Sequence, residues 1–173
     1  MKTLLVLAIA VALCGCATKV VRTKEDAASL CRVSQDTYQK FTRVESTKYK
    51  IAGAYECTFE LVATRDFTGK EINYGMRIET YSGRDWFFFE RAVDSDGTPV
   101  ILSVSDRQVG YGGSTYEYLT LVFEGEYLRE HAGRGLDIKV MGQRGQMIVR
   151  VTPEVLTGFL ERVKQQLGAL LSD

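Results

Sequence analysis

Apolar and polar residues alternate along several separate stretches of this chain, and no other feature limits its possible folds as strongly. Residues 57–64 alternate in this way, and residues 72–79 repeat the pattern after a turn at 67–70. Successive side chains of a β-strand point to opposite faces, so a period of two predicts strands that bury one face. The same reasoning predicts strands at 100–102, 116–123, 136–141 and 147–151 and, with less regular patterning, near 37–44. Asp94–Gly97 and Gly142–Gly145 carry the turn residues of hairpins, so we expect neighbouring strands to be antiparallel.

The C-terminal segment has a different period, which is typical of an amphipathic helix. Thr152 suits the N-cap position, and Pro153 suits the first helical position. Apolar residues then recur at helical spacing: Val155, Phe159, Val163, Leu167 and Leu170 or Leu171. The apolar stripe needs a sheet face to cover. We therefore predict an α+β fold for residues 24–173: a single domain with a mostly antiparallel sheet of six to seven strands and this helix packed on one face.

Two shorter helices are also expected. Thr23, followed by Asp26 three residues later, predicts a capped helix before Cys31. Residues 124–131 favour a second short helix that ends before Gly133. The glycine-rich residues 106–114 are expected to form a loop.

The charge balance of the chain excludes one class of partner. The sequence has 22 basic and 22 acidic residues and therefore a formal net charge of zero. Nucleic-acid binding depends on a strong basic field that neutralises phosphates. We therefore expect no nucleic-acid partner.

Trp86, Phe87, Phe88 and Phe89 are four consecutive aromatic residues. In a strand, Trp86 and Phe88 would point one way, and Phe87 and Phe89 the other. One interpretation is a central strand that is covered on both faces. The other is that one aromatic pair lines a groove for an apolar ligand or a partner protein. The four residues are therefore the candidate binding surface.

The N-terminus has the layout of a secretory signal. Lys2 precedes a ten-residue apolar run, which is half the length needed to span a bilayer. Leu13-Cys14-Gly15-Cys16 follows and resembles the lipobox of bacterial lipoproteins. A non-lipid signal peptide cut near Gly15 is the alternative. Within the resemblance, residues 1–15 are the signal peptide, residues 16–23 form a tether, and Cys16 carries the lipid.

The resemblance also implies a location. In such lipoproteins, Asp directly after the lipidated Cys favours inner-membrane retention, and this chain has Ala17 there. The implied location is the periplasmic face of the cell outer membrane, with the lipid on Cys16 as the membrane contact. The order of elements from Cys57, and residues 135–159 in particular, also resembles uncharacterised bacterial envelope lipoproteins. This second resemblance implies no activity.

Two further cysteines, Cys31 and Cys57, remain in the predicted mature chain. An oxidising periplasm favours a disulfide between them. Such a bridge closes a loop of roughly 25 residues and contributes roughly 3 kcal/mol in the chain-entropy description. Two separate buried thiols are the alternative, because unpaired Cys is commonly buried.

Catalytic chemistry finds little support in the sequence. His131 is the only histidine, and no Gly-x-Ser-x-Gly motif accompanies it, so we expect a solvated or helix-capping residue. The Asp94–Gly97 segment lacks the ligand spacing of a calcium loop. We therefore predict no catalytic residue, metal site or cofactor.

The expected role is a lipid-anchored cell-envelope protein that binds a partner protein or an apolar ligand. One alternative is an envelope hydrolase that uses acidic residues, such as Asp94 with Asp96 or Glu124 with Glu126. The other is a purely structural or assembly lipoprotein.

Overall fold

A computed structural model gives the fold for residues 21–54, 56–83 and 85–168. The predicted signal peptide, the lipobox and Cys16 lie outside the described residues, as do Leu170 and Leu171. Within the described ranges there are ten strands and three α-helices. The strands are β1 (Arg32–Asp36), β2 (Phe41–Glu45), β3 (Tyr49–Lys50), β4 (Thr58–Asp66), β5 (Asn73–Ser82), β6 (Phe89–Asp94), β7 (Pro99–Val109), β8 (Thr115–Phe123), β9 (Leu136–Gly142) and β10 (Gln146–Val151). The helices are α1 (Lys24–Ser29), α2 (Gly125–His131) and α3 (Pro153–Val163), which continues as a π-helical turn over Lys164–Gly168.

All ten strands belong to one antiparallel sheet, which curls into a half-barrel. The spatial order is β1-β2-β4-β5-β8-β7-β6-β9-β10, and β3 pairs with β4. The antiparallel α+β architecture is therefore confirmed. The prediction of six to seven strands is too low. β1 and β3 carry no alternating pattern, and β6 shares only Phe89 with the aromatic segment for which a central strand was one interpretation. β1 is an almost fully exposed edge strand, and β3 has only two residues.

The sheet buries one face, as the alternation predicts. Its core-facing side chains include Leu61 of β4, Met76 of β5, Leu121 of β8 and Ile138 of β9, and each has at most 1% of its surface exposed. Helix α3 adds its own apolar side to the same core: Val155, Leu156, Phe159 and Val163. Thr152 caps this helix by accepting a hydrogen bond from the Val155 N–H, and Pro153 is its first residue, as predicted.

Helix α1 packs on α3 at a close crossing that requires a glycine. A Cβ built on Gly158 would lie 2.2 Å from the Lys24 carbonyl oxygen and 2.6 Å from the Ala27 Cβ. The N-terminus of α1 has the predicted cap, because Thr23 accepts from the Asp26 N–H while the Asp26 carboxylate accepts from the Thr23 N–H. Val21 also packs against the core. Val21 lies in the segment 16–23, which the sequence predicts to be a tether.

Other element boundaries differ from the sequence-based expectation. Strand β7 continues to Val109, so only the end of the predicted loop at 106–114 is irregular. The strand expected near 37–44 begins at Phe41, because residues 37–40 form the turn between β1 and β2. Helix α2 and the hairpin turns at Asp94–Gly97 and Gly142–Gly145 are confirmed.

Candidate ligand-binding site

The aromatic segment Trp86–Phe89 is mostly irregular rather than a strand. Only Phe89 belongs to β6, and Phe88 has a φ of 52°, which lies in the left-handed region. The predicted central strand is therefore wrong at Trp86–Phe88. The rings nevertheless pair as the alternation predicts. Trp86 lies 6.5 Å from Phe88, and Phe87 lies 5.2 Å from Phe89, between ring centroids.

A buried carboxylate explains why the segment leaves the sheet. Glu117 of β8 is 1% exposed, and its Oε1 accepts hydrogen bonds from the N–H groups of Phe87 at 2.6 Å and Phe88 at 3.0 Å. The Arg107 Nε donates to the other carboxylate oxygen at 3.2 Å. Backbone N–H groups that point at a side chain cannot also join a strand ladder. The Arg107 guanidinium also lies over the Phe88 ring, 5.3 Å from its centroid.

The β9–β10 hairpin holds the opposite side of the segment. The Arg144 N–H donates to the Phe87 carbonyl, and the Gln143 N–H donates to the Phe88 carbonyl. Gly142 and Gly145 allow this close approach. A Cβ on Gly142 would lie 2.4 Å from the Phe87 carbonyl oxygen, and one on Gly145 would lie 2.7 Å from the Phe87 ring. The positions of Phe87 and Phe88 are therefore fixed from two sides.

Phe87 and Phe89 line a cavity of about 400 Å³, within the size range of small-ligand sites. The cavity lies between three parts of the chain: the loop before β4, the end of β5, and the start of β10. Its walls are formed by Gly53, Ala54, Cys57, Tyr81, Ser82, Gly83, Phe87, Phe89, Gln146 and Met147. Phe89, Cys57 and Met147 also belong to the hydrophobic core, so part of the cavity wall is apolar. Trp86 and Phe88 do not line it, and the predicted four-residue surface therefore divides into two pairs.

Cys31 and Cys57 are both buried, and no disulfide joins them in the structure. Burial raises the pKa of Cys31 to about 11 and also raises the pKa of Cys57.

A second cluster of polar side chains lies where the β6–β7 turn meets helix α2. The carboxylates of Asp94 and Asp96 and the imidazole of His131 have atoms within 4.8 Å of one another. His131 is at the end of α2, as predicted, but it is 6% exposed rather than solvated. The sequence analysis missed this grouping because 37 residues separate His131 from Asp94. In contrast, the other carboxylate pair considered in the sequence, Glu124 and Glu126, is exposed.

Asp94 is the central acceptor of this second cluster. Its Oδ1 accepts from the N–H groups of Asp96 and Thr98, and its Oδ2 accepts from the Tyr127 hydroxyl at 2.9 Å. Burial works to raise the pKa of Asp94, but these hydrogen bonds outweigh it and lower the pKa. For Tyr127, burial and the bond to Asp94 both raise the pKa.

Comparisons with known proteins add no assignment to either site. No protein-family profile, curated protein sequence or solved structure matches this chain. Among the residues that the structure describes, there is no helix long and apolar enough to cross a membrane.

Proposed function

We propose that this chain is a lipid-anchored protein of the bacterial cell envelope and that its aromatic cavity binds an apolar ligand. The observation that carries the second half is the cavity of about 400 Å³ with Phe87 and Phe89 in its wall. A site of this size can enclose a small apolar molecule or an apolar side chain of a partner protein.

The construction around the cavity supports a binding role. Glu117 and the β9–β10 hairpin hold the backbone of Phe87 from both sides, so its ring is in place before any ligand arrives. A wall that is already ordered loses little conformational freedom on binding, which favours affinity. The polar groups in the wall include Ser82 and Gln146, which can orient one end of a ligand.

The lipid anchor rests on the resemblance of Leu13–Cys16 to a lipobox. Metabolic labelling with an alkyne-tagged palmitate in a Gram-negative bacterium, followed by membrane fractionation, tests it. We expect label on the wild-type chain in the outer-membrane fraction and no label on Cys16→Ser. Cys14→Ser is the matched control and should remain labelled. Absence of label from the wild type, or equal labelling of Cys16→Ser, would contradict lipidation at Cys16.

Ligand binding is tested by filling the cavity. Ser82→Phe introduces a ring at the cavity wall, and Ser103→Phe places the same ring on the exposed side of β7 as a control. The probe is the fluorescent apolar dye 1-anilinonaphthalene-8-sulfonate, titrated into each protein. We expect a saturable signal for the wild type and Ser103→Phe, and loss of that signal for Ser82→Phe. Equal binding to all three proteins would place the dye elsewhere and count against the cavity.

The hydrolase alternative has weaker support. Asp94 and Asp96 do converge, but the hydrogen bonds of Asp94 lower its pKa. A carboxyl group with a lowered pKa is ionised at neutral pH and is a poor general acid.

A further inference from the structure

We propose that Asp94, Asp96 and His131 form a binding site for a divalent transition-metal ion, with Zn²⁺ as the best fit, which exchanges with the guanidinium group of Arg134. This site is separate from the aromatic cavity and does not depend on the function proposed for it. We call the three residues and Arg134 the exchange site.

The three candidate ligands come from the β6–β7 hairpin and the end of α2. Asp94 ends β6, Asp96 lies in the turn that follows, and His131 is the last residue of α2. One potential ligand atom from each lies within 4.8 Å of the others. Ligand atoms at about 2.0–2.2 Å from a zinc ion are roughly 3–4 Å apart. Small side-chain rotations therefore bring all three atoms to bonding distance.

The tautomer of His131 leaves the correct nitrogen available. The Nδ1 atom lies 2.7 Å from the Tyr127 carbonyl oxygen, and this oxygen can only accept a hydrogen bond. The proton is therefore assigned to Nδ1, and Nε2 has a lone pair directed toward the cluster. Metal-binding histidines have this arrangement, in which the distal N–H donates to a carbonyl or carboxylate. The Tyr127 ring, 4.1 Å from the imidazole between centroids, further fixes the orientation of His131.

A positive group already lies between two of these ligands, Asp96 and His131. The Arg134 NH2 group donates to Asp96 Oδ2 at 2.8 Å and lies 2.7 Å from His131 Nε2. The structure therefore already has one cationic group in contact with both the His131 Nε2 atom and the Asp96 carboxylate. The Arg134 side chain is 56% exposed, so it can leave without opening the core. An exposed ion pair of this kind contributes little to stability, and a metal–ligand bond readily replaces it.

Asp94 can bind a metal without losing its structural contacts. Its two oxygens accept three hydrogen bonds, from Asp96, Thr98 and Tyr127. An ionised carboxylate has about four lone-pair sites, so one remains. One imidazole with two carboxylates suits Zn²⁺ and its neighbours in the transition series. Calcium and magnesium prefer six or more oxygen ligands and fit this set poorly.

The test is a Zn²⁺ titration of the full chain in competition with a chromophoric chelator. Four variants accompany the wild type: His131→Gln, Asp96→Asn, Arg134→Ala and Asp137→Asn. Asp137 is the matched control for Asp96, because it is also exposed and paired with an arginine, Arg150. We expect one Zn²⁺ per wild-type chain, at least tenfold weaker binding for His131→Gln and Asp96→Asn, and wild-type binding for Asp137→Asn.

Arg134→Ala is the decisive variant, because it removes the competing cation. Zn²⁺ should bind this variant more tightly than the wild type. If binding is unchanged or weaker, the exchange is refuted. If zinc affinity is the same in His131→Gln, Asp96→Asn and the wild type, the ion is held elsewhere, for example by thiols, and the site is refuted. Displacement of Zn²⁺ by equimolar Ca²⁺ would refute the choice of metal class.

A thermal measurement keeps the test valid if His131→Gln folds poorly. Asp96 has a side chain that is 54% exposed, so Asp96→Asn is expected to fold normally. Zn²⁺ should raise the melting temperature of the wild type, because a ligand that binds only the folded state stabilises it. It should raise that of Asp96→Asn less, because this variant binds the ion more weakly. Equal shifts in the two proteins would overturn the proposal.

Discussion

The buried Glu117 gives the sharpest test of how the aromatic segment is held. Its Oε1 accepts both backbone N–H groups, of Phe87 and Phe88, while its Oε2 faces Arg107 alone. The two oxygens therefore have different partners, and two substitutions can separate the contribution of the backbone hydrogen bonds from that of the ion pair. Glu117→Gln keeps a carbonyl oxygen for the backbone and loses the ion pair. Glu117→Ala removes both.

The expected magnitudes follow from this division. A hydrogen bond to a charged group contributes about 1.5–3 kcal/mol. The N–H donors belong to half-buried residues, so we take the lower value for each, which gives about 3 kcal/mol for the two bonds. Loss of the Arg107 pair adds about 1 kcal/mol, so we expect Glu117→Ala to lower the free energy of unfolding by about 4 kcal/mol. The Arg107 side chain is 38% exposed, so its pair is partly screened. Glu117→Gln should therefore cost only about 1 kcal/mol.

Urea denaturation measures both changes, and the single tryptophan reports on the segment itself. Trp86 is the only tryptophan in the chain, so its native-state emission should shift to the red in Glu117→Ala as the segment loosens. Glu79→Gln is the control, because Glu79 pairs with Lys48 on the sheet with 31% of its side chain exposed. The reasoning is refuted if Glu117→Ala stays within 0.5 kcal/mol of the wild type, taken as roughly the range of an ordinary surface substitution, with unchanged emission. It is also refuted if Glu117→Gln costs as much as Glu117→Ala.

Three further predictions concern the rest of the fold. Gly158→Ala should lower the free energy of unfolding by about 1–3 kcal/mol in urea denaturation, because its Cβ would clash with the Lys24 carbonyl. Asp94→Asn should lower it by about 1 kcal/mol at pH 7. The pKa of Asp94 is lowered in the folded state, so its ionised carboxylate stabilises the fold above pH about 4. This stabilisation is lost as the pH falls further and the carboxylate is protonated. The difference in free energy of unfolding between wild type and Asp94→Asn should therefore shrink at low pH. Cys31 and Cys57 should both be alkylated in non-reducing denaturant, and only slowly in the native protein at pH 8, as read by mass spectrometry.

Each of these three predictions has a clear contrary outcome. Gly133→Ala is the control for Gly158→Ala, because nothing lies within 4 Å of its added Cβ, and equal losses from the two would remove the helix-crossing argument. A constant difference between Asp94→Asn and wild type from pH 7 to pH 3 would show that charge at Asp94 is unimportant. If the chain in non-reducing denaturant carries no label on Cys31 or Cys57 and has a mass two hydrogens below that of the reduced chain, the disulfide that an oxidising compartment favours is established.

The sequence predicts the parts of the fold in which burial is one-sided. Strands β4, β5 and β8 and helix α3 were found because their apolar residues repeat at the period of the element. Strand β1 could not be found this way. Val33, its only strongly apolar residue, is 37% exposed, so neither face of the strand carries a burial signal.

The candidate binding site was only partly predictable for a different reason. The pairing of Phe87 with Phe89 follows from alternation alone. The departure from strand geometry depends on Glu117, which lies 28 residues beyond Phe89 in the sequence. One signal was available. Glu117 alternates in step with Leu119 and Leu121, so the period of two places a charged side chain on the core-facing side of β8. The proximity of His131 to Asp94 leaves no such signal, because it depends on how α2 packs against the β6–β7 turn.

The packing of Val21 against the core limits how far the folded domain can stand from a membrane. Five residue steps separate Val21 from Cys16. A fully extended chain of that length spans at most about 17 Å. If Cys16 carries acyl chains, Val21 lies within about 17 Å of the lipidated residue, and the core that Val21 packs against is held close to the lipid headgroups. A molecule that the domain captures must then reside in, or diffuse into, the region next to the headgroups.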